Sequence, residues 1–186
     1  MSYFPAFINI DKKKTLIIGG GNIALKKLEK LLDFTTNIEL ISLEFSQEIL
    51  SLIDKHQLSF SKRHYELGDI KDMAIVVIAV DDIKLQRDIY LESQEYKCLC
   101  NAVDSLEYCD FIFPSYIKDE GITIAISSSG VSPSFVKQFR IYLERLLPKG
   151  INQLLSELKE LRATLPKGEE RMKLLERKVK KFFDKL

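Results

Sequence analysis

The chain has no tryptophan, only two histidines (His56 and His64), and three cysteines (Cys98, Cys100 and Cys109) in 186 residues. A zinc site built on several imidazoles is hard to assemble from that inventory, and no metal ligand set stands out. The cysteines are odd in number and lack C-x-x-C spacing. No disulfide framework is therefore expected, and a reducing cytoplasm fits. No apolar run approaches the roughly 18–20 residues needed to span a bilayer. The opening Met1-Ser2-Tyr3-Phe4-Pro5 has neither the charged nor the apolar region of a secretory leader. An excess of one charge is missing too: 28 Lys and Arg against 27 Asp and Glu leave a net charge of +1. Nucleic-acid binders normally carry a basic excess, so that class is set aside. With histidine so scarce, acid–base chemistry is expected to rest on a carboxylate, a hydroxyl or a lysine.

What is present is an ordinary globular balance of 46% hydrophobic and 30% charged residues. The charge is uneven. Pro148 to Leu186 holds 11 basic and 6 acidic residues, while the rest holds 17 basic and 21 acidic. A basic annex follows a mildly acidic body. Thr15 to Ile18 reads as a short buried strand, and Gly19-Gly20-Gly21 follows at once. Ala24, Leu25, Leu28, Leu31 and Leu32 then recur at helical spacing. Asn37 to Ser42, Leu58 to Ser61, Ala74 to Val80 and Cys98 to Val103 read as further strands. Helices are expected over Phe45 to Ile53 and from Asp81-Asp82, which can cap it, to about Ser93. Tyr65 to Asp72 reads as a loop. This alternation predicts an α/β fold with a Rossmann-like, doubly wound parallel sheet.

The pattern then changes. Phe111 to Pro114 and Ile122 to Ile126 predict a hairpin that extends the sheet, turning at Asp119-Glu120-Gly121. Ser132-Pro133 opens a helix. Ile151 to Leu165 and Glu169 to Leu186 predict two more helices, separated by Pro166-Lys167-Gly168. The expected organisation is a nucleotide domain over 1–112, a small α+β dimerisation region over 113–147 and a C-terminal helical region over 148–186.

Gly19-Gly20-Gly21-Asn22-Ile23-Ala24 fits G-x-G-x-x-A between a strand and a helix. Gly19 permits the tight turn, Gly21 lets the backbone approach a pyrophosphate, and Ala24 lets the helix sit close to the sheet. The helix N-terminus offers N–H groups and partial positive charge to phosphates. The alternative is a glycine turn that holds no ligand. The ribose contact should fall about 20 residues on, at Leu43 and Glu44. A glutamate there accepts from ribose hydroxyls and repels a 2′-phosphate, which favours NAD over NADP; the alternative is a solvated loop glutamate.

Ile18-Gly19-Gly20-Gly21-Asn22-Ile23-Ala24, Lys27, Cys100-Asn101-Ala102-Val103-Asp104, Phe111-Ile112-Phe113-Pro114-Ser115 and Ile126-Ser127-Ser128-Ser129-Gly130-Val131-Ser132-Pro133 occur in this order. Over about Phe4 to Leu147 this series resembles the N-terminal module of the siroheme synthases. That module is a precorrin-2 dehydrogenase and, in bifunctional members, also a sirohydrochlorin ferrochelatase. The resemblance implies NAD-dependent oxidation of precorrin-2 to sirohydrochlorin. It also implies a homodimer whose active sites lie between the nucleotide domain and the dimerisation region. It leaves open whether Fe2+ is then inserted as a co-substrate to give siroheme. It assigns the key aspartate to Asp104, cofactor contacts to Asn22 and Ile23 and to Leu43 and Glu44, and a serine phosphorylated in some members to Ser128. Many members have glycine where Ser129 stands, and a side chain there is expected to narrow the tetrapyrrole cleft. No methyltransferase domain follows, so a separate uroporphyrinogen methyltransferase is expected to supply precorrin-2.

The residues can also be read without the family. Asp104 ends a predicted strand at the carboxyl edge where open α/β sheets bind ligands, and a carboxylate there can accept the protons that oxidation or metal insertion releases. The alternative is a turn cap. Ser127, Ser128 and Ser129 precede a helix and can hydrogen-bond the acidic side chains of a tetrapyrrole, or simply cap that helix. Cys98 and Cys100 share a strand face and are read as core rather than as soft metal ligands. The competing function is an NAD-sensing Rossmann module of the kind that gates potassium transport. It accounts for the glycine loop but not for Asp104, the hairpin or the serine loop.

Overall fold

The computed structural model describes residues 3–103 and 105–186. They form two compact units, Tyr3–Ile112 and Phe113–Leu186.

In the first unit, strands β1 (Thr15–Ile18), β2 (Ile38–Ser42), β3 (Ser59–Lys62), β4 (Ile75–Ile78) and β5 (Leu99–Ala102) form one sheet in the order β3-β2-β1-β4-β5. All four pairings are parallel. Helices α1 (Asn22–Leu32), α2 (Gln47–His56) and α3 (Ile83–Tyr96) form three of the four crossovers, and a loop joins β3 to β4. This is the doubly wound arrangement expected from the alternating pattern. β1 and β4 are buried at every position, as unbroken apolar runs covered on both faces must be. One face, with Leu16, Ile18, Ile41, Val76, Ile78 and Cys100, packs with Ile89 of α3. Strand period puts Ile17, Leu40 and Val77 on the other face, where α1 packs on β1 and α2. Cys98 and Cys100 lie in the apolar core, and burial pushes both thiols up to about 12.

Local chemistry sets the helix ends. Ser46 accepts from Ile49 N–H at 3.4 Å to start α2, and Asp82 accepts from Leu85 N–H at 3.1 Å to start α3. The loop of Tyr65 to Asp72 is tied down. Glu92 of α3 is 5% exposed and accepts from the Tyr65 hydroxyl and from Gly68 N–H.

In the second unit, β6 (Ser115–Asp119) and β7 (Ile122–Ile126) form an antiparallel hairpin, followed by helices α4 (Pro133–Leu146), α5 (Ile151–Thr164) and α6 (Glu169–Phe183). The hairpin is a two-stranded sheet of its own and does not extend the parallel sheet. Residues 111–114 are not strand, contrary to expectation. Pro114 has no N–H for a ladder, and the Phe111 carbonyl accepts from Asn101 Nδ2 at 2.8 Å. β5 is followed instead by a 3-10 turn, Leu106–Tyr108, and an Asn101–Cys109 bridge.

Candidate functional site

The carboxyl ends of β1, β2, β4 and β5 bring the glycine loop, Leu43, Glu44 and the β4–α3 loop to one edge of the first unit. Gly19 leaves β1 with φ +126°, a conformation glycine alone adopts readily. A Cβ on it would lie 2.9 Å from the Ala79 carbonyl carbon. Gly20 is equally hemmed in, its missing Cβ falling 2.9 Å from the Glu44 carbonyl carbon and 2.9 Å from Ser42 Oγ. Gly21 differs. A Cβ there would meet nothing within 4 Å, on the open side of the loop. Sequence reasoning assigned roles to Gly19 and Gly21 and missed Gly20, because its constraint comes from a loop more than 20 residues away.

Gly21 is the N-cap of α1, with extended backbone and no side-chain capping bond. The first intrahelical bond is Leu25 N–H to the Gly21 carbonyl at 3.0 Å, so the amides of Asn22, Ile23 and Ala24 precede the ladder. No acidic residue stands in the first turn. N–H groups, the positive end of the helix dipole and an unobstructed glycine surface suit this place to an anionic phosphate group. Ala24 is fully buried, which lets α1 sit close to the sheet.

Leu43 and Glu44 follow β2, and both are exposed. Ser46 N–H donates to the Gly20 carbonyl at 2.9 Å. That bond ties the β2–α2 loop to the glycine loop, so Glu44 is held beside the phosphate-type site. On the other side of β1, Ile23, Val80, Asp81, Ile83, Gln86 and Val103 help line a cavity of about 170 Å³. Asp104 lies outside the described residues, but its neighbours Val103 and Ser105 both line this cavity.

Asn101 is 4% exposed and occupies the same sheet row as Ile17 and Val77. Its amide is satisfied from two sides. Lys27 Nζ of α1 donates to Oδ1 at 3.3 Å, and Nδ2 donates to the Phe111 carbonyl. The motif series contains both Lys27 and Asn101, but nothing in it indicates that they meet.

The three serines lie in the second unit, before α4. Ser128 Oγ accepts from Ser132 N–H at 3.1 Å and also donates to the Ser132 carbonyl. Ser127 Oγ accepts from Ser129 N–H at 3.0 Å. Ser132 caps α4, accepting from Phe135 N–H at 3.2 Å, with Pro133 next. The Ser128 hydroxyl is therefore engaged within its own loop, while Ser127 and Ser129 are exposed. Ser129 has φ +52° and Gly130 φ +85°.

A family model described as "Putative NAD(P)-binding" matches residues 6–115. The siroheme synthase of Pseudoalteromonas translucida (strain TAC 125) is 32% identical over 154 residues, which is 83% of this chain and 33% of that protein. That of Neisseria meningitidis serogroup C (strain 053442) is 30% identical over 154 residues, 83% of this chain and 32% of that protein. The chain thus spans about a third of the length of these relatives. Among solved structures, one described as SirC, precorrin-2 dehydrogenase, superposes with a TM-score of 0.77 at 20% identity, covering 94% of this chain and 88% of that one. That likeness is one of fold.

Proposed function

The chain belongs to the "Putative NAD(P)-binding" family, and from that premise we propose that it oxidises precorrin-2 to sirohydrochlorin with NAD as hydride acceptor. The observation that carries the reading is the glycine loop itself. Gly21 presents an open surface beside the first amides of α1, in a chain whose 154 matched residues align with siroheme synthases.

In this reading Gly19, Gly21, Asn22 and Ile23 hold the pyrophosphate, and Leu43 and Glu44 flank the adenosine ribose. The exposed Glu44 carboxylate accepts from ribose hydroxyls and disfavours a 2′-phosphate, which supports NAD over NADP. The nicotinamide supplies the hydride-accepting chemistry when bound. Oxidation of the macrocycle removes one hydride and one proton, and the proton goes to a positioned base. Asp104, two residues beyond β5, is assigned that role from its place in the chain. Ser127, Ser128 and Ser129 are assigned to the substrate's carboxylates, and the Ser127 and Ser129 side chains are exposed.

The reading includes a homodimer formed through 113–147, with 148–186 as a helical region. α4 supports this. Phe135, Phe139, Tyr142 and Leu146 are 60%, 37%, 56% and 56% exposed along one face, and Phe135 stacks on Phe139 with ring centroids 5.6 Å apart. An exposed aromatic stripe of this kind marks an association surface.

The test is purified protein with enzymatically made precorrin-2 and NAD, followed by absorbance. NADH and sirohydrochlorin are expected in equal amounts, and Asp104→Ala abolishes both. Absence of NADH formation refutes the proposal. Adding ferrous ion to sirohydrochlorin then separates a bifunctional enzyme, which makes siroheme, from a dehydrogenase alone.

A further inference from the structure

We infer that Cys109 is a positioning residue for Asp104: its thiol closes the loop that carries that residue and so fixes where a base on the loop stands. The inference rests on the reading above, in which Asp104 takes the proton. The chain leaves β5 at Ala102 and returns at Cys109, which bridges back to Asn101 in antiparallel fashion. Cys109 Sγ lies 3.0 Å from the Ala102 carbonyl oxygen and 3.4 Å from that of Ser105. Carbonyls only accept, so the thiol is the donor and the two share its one proton. In sequence these carbonyls bracket residues 103 and 104. Burial pushes the Cys109 thiol above its ordinary 9.0, so it keeps that proton at neutral pH. The Ser105 carbonyl also accepts from Tyr108 N–H at 3.0 Å, and Val103 N–H donates to the Ile78 carbonyl at 3.0 Å.

The thiol is itself aimed by a chain of bonds that starts on α1. Lys27 Nζ can only donate, so the Asn101 amide turns its oxygen toward it. Nδ2 then faces the Phe111 carbonyl and Cys109 Sγ, at 2.8 and 3.5 Å. A sulfur that accepts on that side directs its proton to the other, toward the two carbonyls. Donor and acceptor type thus set each orientation from Lys27 through Asn101 to Cys109. Asn101 stands in a sheet row with Ile17 and Val77, where an apolar side chain would pack without burying a polar group. A satisfied polar network in such a place specifies one conformation of what it holds. What it holds is the loop at the carboxyl end of β5, whose Val103 and Ser105 line the cavity beside Ile23 of α1.

Two readouts on the full-length protein test this, one of which needs no turnover. Amide hydrogen exchange across 103–108 is compared in wild type, in Cys109→Ser, which keeps a donor, and in Cys109→Ala and Cys109→Val, which lack one. Exchange there is expected to quicken about 2–10-fold in the two donorless variants and less in Cys109→Ser. Turnover of precorrin-2 with NAD then reads the placement of the base. The donorless variants are expected to lose about tenfold in kcat with the KM for NAD within about twofold of wild type, and Cys109→Ser to regain most of the loss. Valine fills the space that alanine leaves. A Cys109→Val protein that exchanges and turns over like wild type therefore overturns the inference, whether or not Cys109→Ala folds, because packing alone then suffices. Unchanged loop exchange in both variants, or kcat and KM that worsen together, also overturns it. A wild-type protein that makes no NADH removes the dehydrogenase reading, and the inference with it, whereas active wild type with equally active variants removes only the role of Cys109.

Discussion

The Glu44 carbonyl crosses Gly20 so closely that a Cβ there would lie 2.9 Å from the Glu44 carbonyl carbon. The Gly20 carbonyl in turn accepts from Ser46 N–H at 2.9 Å. The ribose-side loop and the phosphate-side loop are thus one unit, and the glycine between them serves the fold. Gly21, one residue on, has nothing against it. Adjacent glycines therefore have separable functions.

Gly20→Ala is expected to destabilise the protein by about 2–3 kcal/mol, because backbone must shift to admit the methyl group. Chemical denaturation measures this. Dinucleotide binding should weaken with it, since the displaced Glu44 loop is the same loop. A variant as stable as wild type would show that the two loops are not locked together.

Gly21→Ala should do the reverse. Its φ of −95° suits alanine, and the added methyl enters open space. The melting temperature should stay within a degree or two, while NAD affinity falls about tenfold or more because the methyl stands where the pyrophosphate approaches. Unchanged affinity would place the ligand elsewhere.

Most of the parallel sheet was legible, because buried parallel strands are unbroken apolar runs and the crossovers have helical period. Thr15 to Ile18 and Ala74 to Val80 show this directly. The glycine loop was legible through spacing. Gly20 and the Lys27–Asn101 pair were not, since each depends on a contact distant in sequence. Phe111 to Pro114 misled for a related reason. Their apolar, β-type residues resemble a strand, but Pro114 cannot donate and Asn101 takes the Phe111 carbonyl.

Ser129 sits at φ +52°, left-handed and without a glycine's freedom. Its side chain is exposed, and the bond to Ser127 Oγ uses its backbone N–H. Ser129→Gly should therefore relieve strain without losing a packed contact, raising stability by about 1 kcal/mol. That corresponds to a few degrees in melting temperature. A lower melting temperature would mean that the Ser129 hydroxyl makes a stabilising contact.

Asp69 binds Arg63 through two parallel hydrogen bonds, at 2.7 and 2.8 Å, and also accepts from Glu66 N–H at 2.8 Å. Burial alone would raise its pKa, but the Arg63 pair and the Glu66 amide outweigh burial and hold the carboxyl below its ordinary 3.8. A carboxyl depressed in the folded state stabilises the fold above its unfolded pKa, and that contribution is lost as pH falls through the folded value. Arg63 is 37% exposed, so solvent screens the pair and the effect is modest. Asp69→Asn should cost about 1 kcal/mol at about pH 7. The gap should shrink as pH falls below about 4, where the Asp69 carboxyl begins to protonate in the unfolded wild-type chain, and close as pH passes through its lower folded value. Urea unfolding of both proteins across that range tests this. A gap that stays constant down to about pH 3 would mean that the substitution costs stability through shape and not through lost charge.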